Sequence, residues 1–290
     1  MILGRSVRTG VRTIALIGLL GVAWGGPAIA SELKQRTAEA FQRYTERTEE
    51  RIKSEEADPA HFLYFDSLPP EQKQSILERL HEGQVVIQQM HTQGGKEIEV
   101  PDGLVHHWLA IGFLPGVTRE EVLQLAHDYA RQAQIYVPDV QREELVSHGD
   151  PTDVVACRFY RQAIVTVVYD VSFNIEYFVP DSSRAYSWSH ATRIAEVQNP
   201  GKPDEKEMPV GKDHGYMWRL NLYTSYLERD GGMYVQIEFL ALSRTVPLIF
   251  AWLVNPYIRA VPRDYLTHYV VDTRKALKAE SSKTKTENGR

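Results

Sequence analysis

The sequence holds a single cysteine, Cys157, among 290 residues, so no intramolecular disulfide can staple the fold. Cys157 falls in a strand-like run, 154–160, and reads as a small buried hydrophobe rather than a reactive thiol. Formal net charge is −5 and no dense basic block follows the N-terminal leader, which excludes nucleic acid as the main partner. Beyond residue 30 no apolar run is long enough to cross a bilayer. H-E-x-x-H and C-x-x-C are absent, and the adjacent His106 and His107 would point to opposite faces of a strand, so the 10 histidines indicate no metal site. There is no G-x-S-x-G elbow. Asp213 and His214 with Ser225 or Ser243 have hydrolase residue types but read better as a polar loop end opening a strand. The glycine-dense stretch 18–26 belongs to the leader and is no phosphate loop. Glu176, Glu196 and Glu238 alternate with apolar neighbours, which reads as a wet sheet face rather than a carboxylate pair across a cleft. No catalytic residue, metal or cofactor is indicated.

What is present begins with the leader. Arg5, Arg8 and Arg12 form a basic start, an apolar run follows from Ile14 to Trp24, and Ala28-Ile29-Ala30 is a small-x-small cleavage pattern. That order is what a secretory signal peptide requires, so residues 1–30 are expected to be removed and the mature chain to start at Ser31, periplasmic or secreted. The apolar core is short for a membrane anchor. No cysteine follows for lipid attachment, and the arginines are not paired.

Residues 31–82 form a charged extension. Its first part favours helix, but the apolar stripe of Leu33, Phe41, Tyr44 and Ile52 is thin. The expectation is a solvated or loosely docked helix, or an oligomer contact; the oligomeric state is not specified by the sequence. Pro69-Pro70 opens a short helix to His81. From Gly83 the texture turns to strands: 84–91 and 104–114, then a helix opened by a Thr118/Glu121 capping box and running to about residue 132, then a meander of about six strands. The segment 199–213, with Pro200, Pro203 and Pro209, is expected to be a mobile loop. A final helix spans 262–278, and 279–290 reads as a disordered tail.

Alternation fixes faces. Val165, Val167, Tyr169, Val171, Phe173, Ile175, Tyr177 and Val179 share one face of one strand. Tyr216, Trp218, Leu220, Leu222 and Tyr226 share another, as do Met233, Val235, Ile237, Phe239 and Ala241. These dry faces need a partner, and the last helix supplies one with Leu266, Tyr269, Val270 and Leu277 at 3–4 spacing. The fold class is therefore α+β: a curved antiparallel sheet wrapped round a long C-terminal helix, with an N-terminal helical extension.

The segments 192–197, 213–221, 231–236 with 242–244, and Ala251-Trp252-Leu253 through Val261-Pro262-Arg263 are similar to START-like proteins. The order of elements from about 83 to 278 resembles the helix-grip superfamily that includes START lipid-transfer domains, Bet v 1-type allergens and polyketide cyclases. The resemblance implies a hydrophobic cavity between sheet and last helix that takes a lipid or another hydrophobic small molecule. On the dry faces, the expected lining is Tyr169, Phe173, Trp218, Leu222, Tyr226, Ile237, Phe239, Trp252 and Tyr269. Residues 248–257 are apolar nearly all round, which suits burial, or a cavity lid with transient membrane contact. Arg193 sits mid-strand among Ser189, Ala191 and Ala195. Three roles stay open for it: a place in solvent at the rim, a structural ion pair, or an anchor for an acidic ligand. A binding protein is favoured over a cyclase- or dehydratase-type enzyme, because these dry faces show no Asp, Glu or His. A domain with a filled core is the third reading.

Overall fold

The computed structural model describes residues 31–92, 98–162, 166–245, 260 and 262–279. The leader 1–30, the whole run 248–257 with Trp252, and the tail beyond 279 lie outside them.

The alternating segments form one antiparallel sheet. Its long strands are β3 (Gly103–Pro115), β4 (Val140–Ser147), β5 (Thr152–Gln162), β6 (Thr166–Phe178), β7 (Arg184–Gln198), β10 (Arg219–Arg229) and β11 (Gly232–Arg244). With the short β2 (Val86–Gln89), they run in the order β2-β3-β11-β10-β7-β6-β5-β4. The β10–β11 hairpin turns on Asp230 and Gly231, with φ 57° and 73°. Both central residues at positive φ is what a tight two-residue hairpin loop needs, and Asp-Gly supplies it at low cost. β11 then pairs with β3 along its whole length, closing the sheet between distant parts of the chain.

The inner face holds the last helix, α5 (262–279); α1 to α4 follow below. Leu266 packs on Trp108, Ala110 and Ile237, and Leu277 on Leu114 and Val235. Gly112 of β3 makes this contact possible: a Cβ there would lie 2.1 Å from Val270 Cγ1. The inner faces expected for β11 and for β6 from Val167 to Tyr177 are those observed; Val165 lies outside the described residues, and Val179, just past the end of β6, is exposed.

The outer face is also covered, against the expectation of a wet side. α1 (Gln35–Ala57) docks along it: Phe41, Tyr44 and Ile52 pack with Trp188, Tyr223, Leu240 and Leu242. A 3-10 turn (Tyr64–Ser67) and α2 (Pro70–His81) cover the next stretch, where Phe65 and Leu80 meet Leu109 and Tyr234. The helix reads as loosely docked because half of its buried stripe is polar: Thr37, Thr45, Thr48 and Glu56 are buried beside the apolar residues. Thr37 and Thr48 donate to the carbonyls of Pro101 and Tyr44, while the charged and aromatic polar groups of the helix find partners in the sheet, which hydropathy cannot register. Arg51 pairs with Glu238, whose Oε1 also meets His107 Nε2, while Tyr44 Oη lies 2.9 Å from His107 Nδ1. Trp188 Nε1 donates to Glu56 at 3.1 Å, and Glu49 takes hydrogen bonds from Tyr223 and His190, both at 2.9 Å. Glu238 is thus buried and paired, not wet. Glu196 is buried too and paired with His214.

Two further elements differ from expectation. The helix after Thr118 keeps its capping box, but breaks at Asp128 into α3 (Arg119–His127) and α4 (Tyr129–Ile135). Asp128 caps α4 through the Arg131 N–H. The segment 199–213 is tied down at two points. β8 (Lys206–Glu207) pairs with β7, and β9 (Lys212–Asp213) pairs with β1 (Ser31–Glu32), the residues just after the expected cleavage point.

Candidate functional site

Between the inner face of β5–β7 and β10–β11, helices α3 and α4, and α5 lies a cavity of about 80 Å³. A single water needs ~10–15 Å³ on this measure, so the space holds roughly five to eight waters, or a small apolar group, as it stands. Phe173, Leu222, Tyr226, Ile237 and Tyr269 line it, as the sequence faces imply. Tyr169 and Phe239 belong to the same inner core but pack beside the cavity rather than on its wall. Tyr129, Tyr136 and Tyr265 complete the wall from α3–α4 and α5.

Trp218 does not line it. β10 begins at Arg219, and Trp218 lies just before the regular alternation, packing on the outer side with Phe41 and Tyr223. Arg193 is the second departure, and a β-bulge is the reason. In the β6–β7 ladder Phe173 faces Ala191 but Ser172 faces Arg193, leaving Thr192 as the extra residue. One added residue moves every later side chain to the other face. Ile194 therefore enters the inner core while Arg193 turns out and pairs with Glu207 of β8, its side chain 41% exposed. The anchor role gives way to an ion pair at the rim.

A second bulge places a residue that the sequence reading missed. Between Val140 and Arg142 the β4–β5 register shifts, so Glu143 comes opposite Cys157, on the inner side. β4 is an edge strand and reads as exposed: Val140 is its one buried residue. The bulge is not visible in residue types, so no sequence signal separated Glu143 from its exposed neighbours Arg142 and Glu144. Glu143 lines the cavity and has no hydrogen-bond or ion-pair partner among the described residues. Loss of solvation alone pushes its carboxyl up to about 8. The inner surface thus does contain an acid, on a strand outside the dry faces read from the sequence.

The remaining polar groups are hydroxyls and the Gln132 amide, which donates to the Ala126 carbonyl at 2.9 Å. Tyr136 Oη meets Thr273 Oγ1 at 2.9 Å, and Thr273 donates to the Tyr269 carbonyl at 2.7 Å. Tyr136 therefore donates to Thr273. Tyr136 and Tyr269 rings stack with centroids 5.0 Å apart. On the α3–α4 side Tyr129 donates to Asp153 at 2.8 Å, and Tyr177 donates to the Ala126 carbonyl at 3.0 Å. Burial drives the Tyr136, Tyr265 and Tyr269 phenols far above their ordinary range, so they act as neutral donors and acceptors.

The hydrolase constellation is not assembled. His214 bonds Glu196 rather than a serine. Ser243 Oγ lies 2.8 Å from His106 Nε2 but donates to the Arg244 carbonyl. The imidazole N–H then donates to the serine, the reverse of nucleophile activation. Among the described residues no His, Cys, Asp or Glu group is placed to hold a metal, and no helix is long and apolar enough to cross a membrane.

No family model and no curated protein matches the chain. Solved structures do resemble it. Human STARD10 is 12% identical with TM-score 0.44, covering 77% of this chain and 86% of its own. The STAR-related lipid transfer protein of Xanthomonas axonopodis is 15% identical with TM-score 0.41, covering 66% and 98%. The Zhui aromatase/cyclase of a Streptomyces species is 10% identical with TM-score 0.40, covering 60% and 94%. By its own strand order and by the helix its sheet encloses, the chain has a helix-grip architecture.

Proposed function

We propose that this chain binds a hydrophobic small molecule or lipid in the cavity between its sheet and α5, and does so outside the cytoplasm after its leader is removed. The observation that carries the reading is the cavity itself: an aromatic-walled space left inside an otherwise close-packed core. An occupant larger than the present space enters by displacing α3–α4 or α5, elements whose contacts with the sheet are side chain to side chain rather than ladder hydrogen bonds. Native mass spectrometry of protein purified from its own cell envelope tests this. A co-purified small mass supports binding, and clean apo protein that also fails to take up any apolar probe rejects it.

A second reading, a cyclase- or dehydratase-type enzyme, is kept alive by Glu143, an acid poised in an apolar space. Glu143→Gln separates the two. An enzyme would still bind its substrate but lose turnover by roughly 10²-fold or more, whereas a carrier shows no turnover to lose.

A further inference from the structure

Glu143 is the only carboxyl on the cavity wall, and the wall carries no Lys, Arg or His among the described residues. A carboxyl in an apolar space normally finds a cation or a hydrogen-bond donor in the fold, because leaving it unpaired is costly. Among the described residues this one has neither. Its strand neighbour Arg142 is aimed the other way by the bulge, toward Glu144 and Asp170. The groups of other elements close enough to feel Glu143's charge are Tyr129, Tyr136, Tyr265 and Cys157, all neutral. Tyrosine and phenylalanine rings make up much of the surrounding wall, and the faces of such rings attract cations and repel anions.

We infer that the occupant of this cavity carries a protonated amine, or a cation of that kind, on an apolar body, with Glu143 as its counter-charge. The inference rests on the binding reading above and names the ligand's class. An acidic ligand is disfavoured: it would meet a carboxyl, and Arg193 lies outside the cavity. Glu143 is half-buried, and its place against the cavity's apolar side chains lifts its carboxyl to about 8, which favours the protonated form in the empty site at neutral pH. Cation binding then expels that proton. Affinity for a cation rises as pH climbs toward 8 and levels above it, until the ligand's own amine loses its charge. A neutral ligand shows no such rise.

The test uses three probes with one apolar body: cyclohexylmethylamine, cyclohexylmethanol and cyclohexanecarboxylate. Their affinities are measured by calorimetry between pH 6 and 9 on the wild-type mature chain and on Glu143→Gln, with circular dichroism to confirm folding. The expected result is amine over alcohol by roughly tenfold or more at pH 8, as for a charged hydrogen bond, with the carboxylate weakest. Close to one proton is released per amine bound at pH 6–7, about half a proton at pH 8 and little at pH 9, read from buffers of different ionisation enthalpy. Glu143→Gln abolishes the amine's advantage and its proton release, and leaves the alcohol's affinity within about twofold. If Gln fails to fold, Glu143→Met serves as the second variant. Amine and alcohol binding alike, or an amine preference surviving both substitutions, overturns the cation assignment while leaving the cavity reading intact. No binding of any probe to wild type, with no co-purified mass, removes the cavity reading and this inference together.

Discussion

At the scale of single residues, the outer-face charges make the sharpest predictions. Burial would raise the Glu238 carboxyl, but Arg51 and His107 outweigh it and hold the group at about 2. Arg51→Met removes the cation and leaves Glu238 and His107 buried together. Breaking one partner of such a pair costs about 3–5 kcal/mol, so urea denaturation at pH 7 should show a loss of that order. A loss below 1 kcal/mol would mean the pair is not buried as described. Glu56 points the other way. Burial raises its carboxyl to about 8, despite the hydrogen bond from Trp188. An acid with a raised native pKa stabilises the fold fully below its unfolded value and loses that contribution as pH rises toward 8. The slope is about 1.4 kcal/mol per pH unit over that window. Glu56→Gln should therefore gain in melting temperature relative to wild type between pH 5 and pH 8. Parallel melting curves at the two pH values would refute the assignment.

At the scale of elements, two contacts position the site. The first is α5 on β3. Gly112→Ala places a methyl into Val270, and overpacking of this kind costs about 1–3 kcal/mol. Because α5 forms a wall of the cavity, the variant should also weaken uptake of apolar probes; thermal melts and probe titration check both effects. The second contact is α1 on the outer face. Its helical tendency is legible in the sequence, but its tight docking is not, since the stripe that docks mixes Phe41 and Ile52 with Thr37, Thr45, Thr48 and Glu56. A chain starting at Asp58 leaves Trp188, Tyr223, Leu240 and Leu242 uncovered. It should bind a hydrophobic dye and aggregate where the chain from Ser31 stays monodisperse. A well-behaved truncated chain would show that α1 is an accessory rather than part of the core.

At the scale of the whole molecule, export is the proposal to test. Ser31 and Glu32 pair with β9, so cleavage after Ala30 would keep that pairing. N-terminal sequencing of protein recovered from the periplasm or medium should read Ser-Glu-Leu. An intact Met1 on membrane-embedded protein would contradict it.

The sequence by itself determined the architecture. Period-two alternation in β6, β10 and β11 told which residues turn inward, the Asp230-Gly231 turn marked the hairpin, and the spacing of Leu266, Tyr269, Val270 and Leu277 announced the enclosed helix. These signals are local, set by backbone geometry and burial within a single element. Only the tertiary structure decided the chemistry of the site. Two one-residue bulges, in β4 and β7, turned Glu143 into the cavity and Arg193 out of it. A bulge arises from the match between neighbouring strands, and a shift of one residue exchanges the faces of a strand without changing its composition. The covering of the outer face was likewise decided by pairing, because buried polar residues announce themselves only through partners that lie far away in the chain.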